Sequence, residues 1–395
     1  GTQTYNGAIT LGADVVLTGG SVTASSISAN GYDITINATG SVAVTGSIDT
    51  SAASNSSGNG ANGGAVTISA GSSLTLGSVV TDGGNSTYSN SGRYYDSGDH
   101  NWHNYNNSYN GGNAGVISLT GSSISLSGNI SAAGGTSNTG NSGLGGAVSF
   151  ASPLLLTDNL SITTTGQTDG AISFGSTIDG NKSLTINTRR TTVLNANIGS
   201  SNHLASLTMS GPVTISANAI TTTGTQTYNG AITLGADVTL TASGITTTST
   251  ISAGNYDLTM IADAFNLGGN ITGSGTSVLT IQPKTNGTTI GLGTSAPGTI
   301  SLTATELAYL RTPSVVIGGS GVTGLITVNA SAINSAVTNF TLQNSGSSGN
   351  GGITIAGALS GLTNFTLTTA GTLRINNNIT TTGTQTYNGA ITLGA

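Results

Sequence analysis

The sequence has 395 residues and few charges: 7 Lys and Arg, 13 Asp and Glu, and a formal net charge of −6. Charged residues make up 5% of the chain, against about a quarter in an average soluble domain, and the shortage of positive charge argues against binding to the phosphates of nucleic acids. The absence of cysteine excludes a disulfide scaffold and thiolate zinc sites.

Short strands are the elements that the sequence predicts along its length. Apolar residues alternate with polar ones, which is typical of strands with one buried face. In chain order, the clearest pairs are Val66 and Ile68, Leu74 and Leu76, Leu184 and Ile186, Ile232 and Leu234, and Ile353 and Ile355. This alternation argues against disorder, which the Gly, Ser and Asn content would otherwise suggest. No helix of normal length is predicted, and no apolar run reaches the roughly 18 residues that a membrane span needs.

Internal repeats decide how these strands are arranged. The phrase GTQTYNGAITLGA begins at Gly1, Gly224 and Gly383. A second group of segments that resemble one another covers residues 63–80, 114–131 and 145–162, and we call each such repeated segment a line. Each line holds two or three strands separated by Gly-containing turns and is too short to bury its own apolar face. Stacked lines would share one continuous core, which is the principle of a solenoid.

The sequence therefore predicts an all-β fold, a right-handed parallel β-helix that forms an elongated rod with irregular coils. The handedness follows from the usual crossover of twisted parallel strands. Residues 1–395 would form one continuous solenoid, a window of a longer tandem array. The TNFTL repeat predicts that identical side chains stack as ladders, namely Phe340 with Phe365 and Asn339 with Asn364.

One segment interrupts the repeats. Residues 83–113 are rich in Tyr and Asn and lie between two lines that otherwise align, so we predict a long protruding loop without secondary structure of its own. Tyr, Asn, Ser and Gly together are typical of binding loops, and the candidate ligand-binding residues are Tyr88, Tyr94, Tyr95, Trp102, Tyr105 and Tyr109. Sugar rings could stack on these aromatic side chains. The other interpretation is an insert that only packs, for example between neighbouring fibres.

The same loop contains a cluster of potential metal ligands. Asp96, Asp99, His100 and His103 fall within eight residues, and imidazole with carboxylate can bind a divalent cation. Their spacing matches no established metal motif, so these four residues are candidates only. No cofactor is predicted.

The repeat lines resemble those of large filamentous-haemagglutinin-like bacterial exoproteins. The resemblance rests on TTTGTQTYNGAITLGADVTLTA, SLTIN (183–187) and LASLTMSGPVTIS (204–216), and it covers most of the chain outside residues 81–113. It implies a β-helix at the bacterial cell surface or beyond, exported by a two-partner or autotransporter-like route, with structural or adhesive work. The family's repeats carry no catalytic residues.

Two functions follow as hypotheses. The first is a structural segment of an extracellular filament that assembles with itself by coil-on-coil stacking. The second is an adhesin whose Tyr and Trp loop binds glycans or cell surfaces. An enzyme is not expected, because Glu306 is the only Glu and several Asp residues (Asp14, Asp33, Asp237 and Asp257) recur at matched repeat positions, as turn residues would.

Overall fold

The fold is the predicted all-β solenoid of parallel strands. The computed structural model describes residues 1–88, 91–329, 331–346 and 351–394. It forms two compact units, residues 1–195 (unit 1) and 196–395 (unit 2). Within the described residues, no helix is long and apolar enough to cross a bilayer.

The described residues of unit 1 contain 21 short strands. They are β1 (Thr2–Thr10), β2 (Val15–Gly19), β3 (Ser21–Ser28), β4 (Ile34–Ala38), β5 (Val42–Val44), β6 (Ile48–Asp49), β7 (Val66–Ala70), β8 (Ser73–Leu76), β9 (Val79–Val80), β10 (Ser91–Asp96), β11 (Asn101–Asn106), β12 (Ile117–Thr120), β13 (Ser123–Leu126), β14 (Ile130–Ser131), β15 (Val148–Phe150), β16 (Leu154–Leu156), β17 (Leu160–Thr163), β18 (Ile172–Phe174), β19 (Ile178–Asp179), β20 (Ser183–Asn187) and β21 (Thr192–Leu194).

Three parallel ladders run through unit 1, and a typical coil gives one strand to each. The first is β2-β4-β7-β12-β15-β18-β21. The second is β1-β3-β5-β8-β13-β16-β19. The third shares the long strands β1 and β3 and continues through β6-β9-β14-β17-β20. Strands that follow one another around a coil therefore lie in different ladders, and each pairs with its counterparts in the coils before and after it.

The core of unit 1 consists of columns of like side chains. In the first ladder the strand register places one buried aliphatic residue from each coil on the next, namely Ile34, Val66, Ile117, Val148 and Ile172. Burial of each such side chain stabilises the fold by about 1.5–3 kcal/mol. A coil without neighbours would expose these side chains, so the stability of a coil depends on the coils beside it.

In unit 2 the structure describes the remaining strands and, among its described residues, one short helix. They are β22 (Ser206–Met209), β23 (Val213–Ile215), β24 (Ala219–Thr221), β25 (Thr225–Tyr228), β26 (Ile232–Leu234), β27 (Val238–Thr241), β28 (Gly244–Thr247), β29 (Ile251–Gly254), β30 (Leu258–Ile261), β31 (Phe265–Leu267), β32 (Ile271–Gly273), β33 (Val278–Gln282), β34 (Ile290–Gly293), β35 (Ile300–Leu302), α1 (Ala304–Tyr309), β36 (Leu310–Arg311), β37 (Ser314–Gly318), β38 (Ile326–Asn329), β39 (Ser331–Ala332), β40 (Asn339–Asn344), β41 (Gly352–Ile355), β42 (Leu359–Leu362), β43 (Asn364–Thr369), β44 (Thr372–Ile375), β45 (Ile379–Thr381), β46 (Gln385–Asn388) and β47 (Ile391–Leu393).

The ladders of unit 2 are again parallel, and the longest is β24-β27-β30-β33-β37-β40-β43-β46. In this ladder Phe340 lies opposite Phe365, with the buried rings stacked at a centroid distance of 6.0 Å. Asn339 lies opposite Asn364, whose Nδ2 donates to Asn339 Oδ1 at 3.0 Å. Both pairs have the arrangement that the repeat spacing predicts.

The coils of unit 1 also extend sideways into glycine-rich legs that carry no apolar alternation. Outgoing legs (50–55, 81–86 and 132–137) leave the core, and return legs (59–65, 110–116 and 141–147) come back to it. Like legs are joined in parallel, for example by Gly83 N to Ala133 O at 2.9 Å. Outgoing and return legs are joined to each other, for example by Gly112 N to Gly84 O at 2.9 Å.

Glycine is required in these legs because the backbones lie too close together for a Cβ atom. A Cβ built on Gly112 would collide with the carbonyl oxygen of Ala61, and one on Gly143 with that of Gly112. The same steric reason restricts the collagen axis to glycine. The legs are therefore a backbone-packed platform rather than loose loops.

Gly112→Ala should destabilise unit 1 by about 1–3 kcal/mol, because overpacking forces neighbouring backbones apart. Urea unfolding followed by far-UV circular dichroism measures this loss. Gly12→Ala is the matched control, since a Cβ at Gly12 has no atom within 4 Å. Equal stability of the two variants would contradict the close packing of the legs.

Candidate functional site

The segment predicted as an unstructured loop contains an antiparallel hairpin. Strands β10 and β11 form a separate two-stranded sheet and are joined by the turn 97–100. The carboxylates of Asp96 and Asp99 hold the turn, with Oδ1 atoms that accept from Gly98 N at 2.8 Å and Asn101 N at 3.0 Å. His100 completes the turn with a positive φ of 55°. The hairpin shows that the prediction of a loop without secondary structure was wrong.

An exposed aromatic pair lies on this hairpin. Tyr95 and Trp102 are directly opposite each other in the strand register, so their side chains lie on the same face of the hairpin. Their ring centroids are 5.4 Å apart, and the residues are 49% and 64% exposed. Exposed, neighbouring aromatic rings provide flat apolar area that a ligand can cover.

Only part of the predicted aromatic set can be placed. Tyr88 and Tyr109 are half-buried and pack edge to face, with ring centroids 4.8 Å apart. In sequence, Tyr88 precedes the hairpin and Tyr109 follows it. The side chains of Tyr94 and Tyr105 lie outside the described part of the structure.

Three of the four predicted metal ligands come together. One ligand atom from each of Asp96, Asp99 and His103 lies within 4.8 Å of the others. His103 Nε2 is 2.6 Å from Asp99 Oδ2, whereas His100 Nδ1 lies instead 3.3 Å from the Tyr95 hydroxyl. The arrangement could supply two carboxylates and an imidazole to a cation.

The remaining carboxylates that sequence analysis considered have structural contacts. Glu306 is buried at the start of helix α1, where Oε1 accepts from Leu267 N at 3.0 Å and Oε2 from Thr303 N at 2.9 Å. The matched Asp residues each accept a backbone N–H from the next coil: Asp14 from Asp33, Asp33 from Ala65, Asp237 from Asp257, and Asp257 from Val278. These bonds join neighbouring coils, whereas the recurrence of Asp at repeat positions had predicted residues that hold local turns.

Sequence analysis missed one ion pair, because its partners are 20 residues apart in a line without a recognised motif. The Asp169 carboxylate is buried, and Arg189 lies over it with Nη2 2.7 Å from Oδ1. Burial by itself raises the pKa of Asp169, but hydrogen bonds from the Arg189 side chain and from the backbone of Arg189 and Gly166 outweigh it and lower the pKa. Asp169 therefore stabilises the fold above its unfolded pKa of 3.8 and loses this effect as the pH falls further.

The hairpin is an insertion between legs that neighbouring coils close with short turns. Ser86 is bridged to Asn55 and Ser137 in the flanking coils. Asn110 is hydrogen-bonded to the return legs of the same coils, through its backbone to Gly60 and through Oδ1 to Asn141 N. The flanking turns consist of residues 56–58 and 138–140, whereas residues 87–109 separate Ser86 from Asn110.

Deletion of residues 88–107 should leave the solenoid folded. The deletion retains Thr87, Ser108 and Tyr109, so the remaining turn has three residues, as in both neighbouring coils. It removes no residue of the parallel ladders. Far-UV circular dichroism and urea unfolding should match the intact chain to within about 0.5 kcal/mol, the usual range for changes away from the core. Aggregation or loss of the cooperative transition would show that the hairpin is part of the fold.

Comparison with protein-family models, curated proteins and solved structures finds no match to this chain. The resemblance to filamentous-haemagglutinin-like exoproteins therefore stays a prediction from the repeat lines.

Proposed function

We propose that the chain is a structural segment of an extracellular bacterial filament, built by coil-on-coil stacking of a repetitive giant protein. Its partner in assembly is another coil of the same kind, and it has no catalytic role. The main support is the way in which copies of one phrase form the same internal contacts, whether or not a further coil covers them.

The second and third copies of the phrase have the same local structure. Gln226 Nε2 donates to Ile220 O at 2.9 Å, and Gln385 Nε2 donates to Ile379 O, also six residues earlier, at 3.3 Å. In both copies a Tyr hydroxyl two residues later donates to the Gln Oε1 atom, at 3.0 and 2.5 Å. The phrase therefore folds into a defined coil in two places.

The two copies differ in what covers them. Ile232 and Leu234 of the second copy are 1% and 5% exposed, and strand β29 of the next coil pairs with their strand. The corresponding Ile391 and Leu393 are 45% and 74% exposed. Since strand β29 and its coil cover the second copy, the phrase forms a coil face on which a further coil can stack.

Composition agrees with a filament outside the cell. A surface with few charges and many Thr, Ser and Asn residues suits extended sheet that is cross-linked by polar side chains. Assembly through matching coil faces generates an open, head-to-tail polymer. The bacterial cell surface as location, and a secreted route to it, rest on the resemblance alone.

The filament proposal predicts assembly through the third copy of the phrase. The purified chain should form filaments in negative-stain images and concentration-dependent species by sedimentation, and Ile391→Lys with Leu393→Lys should abolish both. Lysine on an exposed strand opposes pairing with another chain.

The matched control for this charge change is Val116→Lys with Leu144→Lys, since Val116 and Leu144 are 49% and 45% exposed outside the repeated phrase. This variant should assemble like the unmodified chain. A chain that stays monomeric at every concentration, or assembly that survives the Ile391 and Leu393 changes, would refute the proposal.

The exposed aromatic pair supports a second function, an adhesin whose hairpin binds glycans or cell surfaces. Tyr95 and Trp102 offer a flat face, and Asn and Ser residues nearby in sequence offer hydrogen-bonding groups.

On a glycan array, Trp102→Ala should lower binding at least about tenfold, or about 1.4 kcal/mol. Tyr32→Ala, at a tyrosine that is 40% exposed elsewhere in unit 1, should leave binding unchanged. Equal binding by both variants would exclude the hairpin as the contact.

A further inference from the structure

Three neighbouring cavities in unit 1 share lining residues and lie in a row along the outgoing legs, and we call this row the trough. Their volumes are about 190, 380 and 360 Å³. The first and second share Ser51 and Ala52 as lining residues, and the second and third share Gly134, Thr136 and Thr165. The trough is distinct from the Tyr95 and Trp102 face, and no part of the filament proposal depends on it.

The trough crosses six successive coils. Backbone hydrogen bonds fix the order of its levels, from Gly31 N to Thr50 O (3.1 Å) at one end to Thr164 N to Asn187 O (3.1 Å) at the other. The intermediate steps are Ala52 N to Asp82 O, Gly83 N to Ala133 O, and Gly134 N to Thr165 O. With neighbouring strands ~4.8 Å apart, six levels extend over roughly 24 Å. A groove of this length and even spacing fits an extended polymer better than a compact molecule.

The lining is polar and its orientation is fixed by the coils. Asp49 Oδ1 accepts from Ser51 N at 2.9 Å, and Asp82 Oδ1 accepts from Ala133 N at 2.7 Å. Hydroxyl and amide side chains supply most of the other lining groups, at Ser28, Asn30, Ser51, Ser54, Asn85, Thr136, Ser142 and Thr165. Carboxylates accept strong hydrogen bonds from hydroxyl groups, so the trough presents acceptors and donors for a ligand that is rich in hydroxyls.

The charge of the lining disfavours an anionic ligand. Asp49 and Asp82 line the trough, while the guanidinium of Arg189 at its end is paired with Asp169. A polyanion would meet two carboxylates without an unpaired cation among the described lining residues. A neutral polymer meets no such repulsion.

We propose that this trough binds a linear, uncharged oligosaccharide along the coil stack. An extended sugar chain repeats at about the spacing of the coils, so successive residues can meet successive levels. The lining has no aromatic side chain, so the contacts are hydrogen bonds, and affinity grows with the number of levels covered rather than from one strong site.

The test uses the full chain and isothermal titration calorimetry with chitohexaose, cellohexaose and maltohexaose, together with their disaccharides. At least one hexasaccharide should bind, and at least tenfold more tightly than its disaccharide. Ser54→Gln with Ala133→Gln, which adds uncharged bulk to the central cavity, should weaken that binding at least tenfold. Circular dichroism checks the fold of the variant, and Ala53→Gln, in the first cavity, is the second variant if the first fails to fold.

Two controls separate the trough from other sites. Val116→Gln with Leu144→Gln adds the same side chains outside the trough, and deletion of residues 88–107 removes the aromatic hairpin; both should bind like the unmodified chain. The proposal fails if no hexasaccharide binds at millimolar concentration, if disaccharides bind as tightly, if filling the trough has no effect, or if the hairpin deletion abolishes binding. None of these results depends on whether the chain forms filaments.

Discussion

In-register stacking of parallel coils is the constraint on which the rest of this structure depends. A three-residue strand such as Val148–Phe150 buries alternate side chains only because Ile117 and Ile172 lie directly above and below Val148. A slip of one residue would move every apolar side chain of that strand to the exposed face. The register is therefore set by all coils together, and no coil carries enough buried area to be stable alone.

Side-chain ladders add to this register where the sequence repeats itself. The pair Phe340 and Phe365 stacks aromatic rings in the core, while Asn339 and Asn364 form a hydrogen bond between side-chain amides outside it. The Asp residues at repeat positions act differently, since the carboxylate of one coil accepts the backbone N–H of the next. Charged residues are few in this sequence, and these Asp side chains serve as hydrogen-bond acceptors that join coils.

The sequence predicted those parts of the fold that depend on side-chain pattern. Period-two alternation and exact repeats suffice for parallel strands in register, because a repeated phrase such as TNFTL determines which residues are opposed. The glycine legs could not be predicted in this way, since their packing is made by backbone atoms that all residues share. The hairpin was missed for a related reason: its Tyr and Asn residues show no apolar alternation, and its register depends on the turn held by Asp96 and Asp99.

The trough was invisible in the sequence because its lining residues are far apart along the chain and unevenly spaced. Ser51, Asp82, Ala133 and Thr165 belong to successive levels but are separated by different numbers of residues, since the hairpin is inserted between Asp82 and Ala133. Stacking converts these irregular intervals into a regular spacing in space. A solenoid can therefore accept an insertion between its legs, as the hairpin shows, and still present an evenly spaced row of side chains beside its core. This separates the requirements of folding from those of binding. The core columns maintain the coil spacing, and polar side chains next to the core are therefore spaced in the same way.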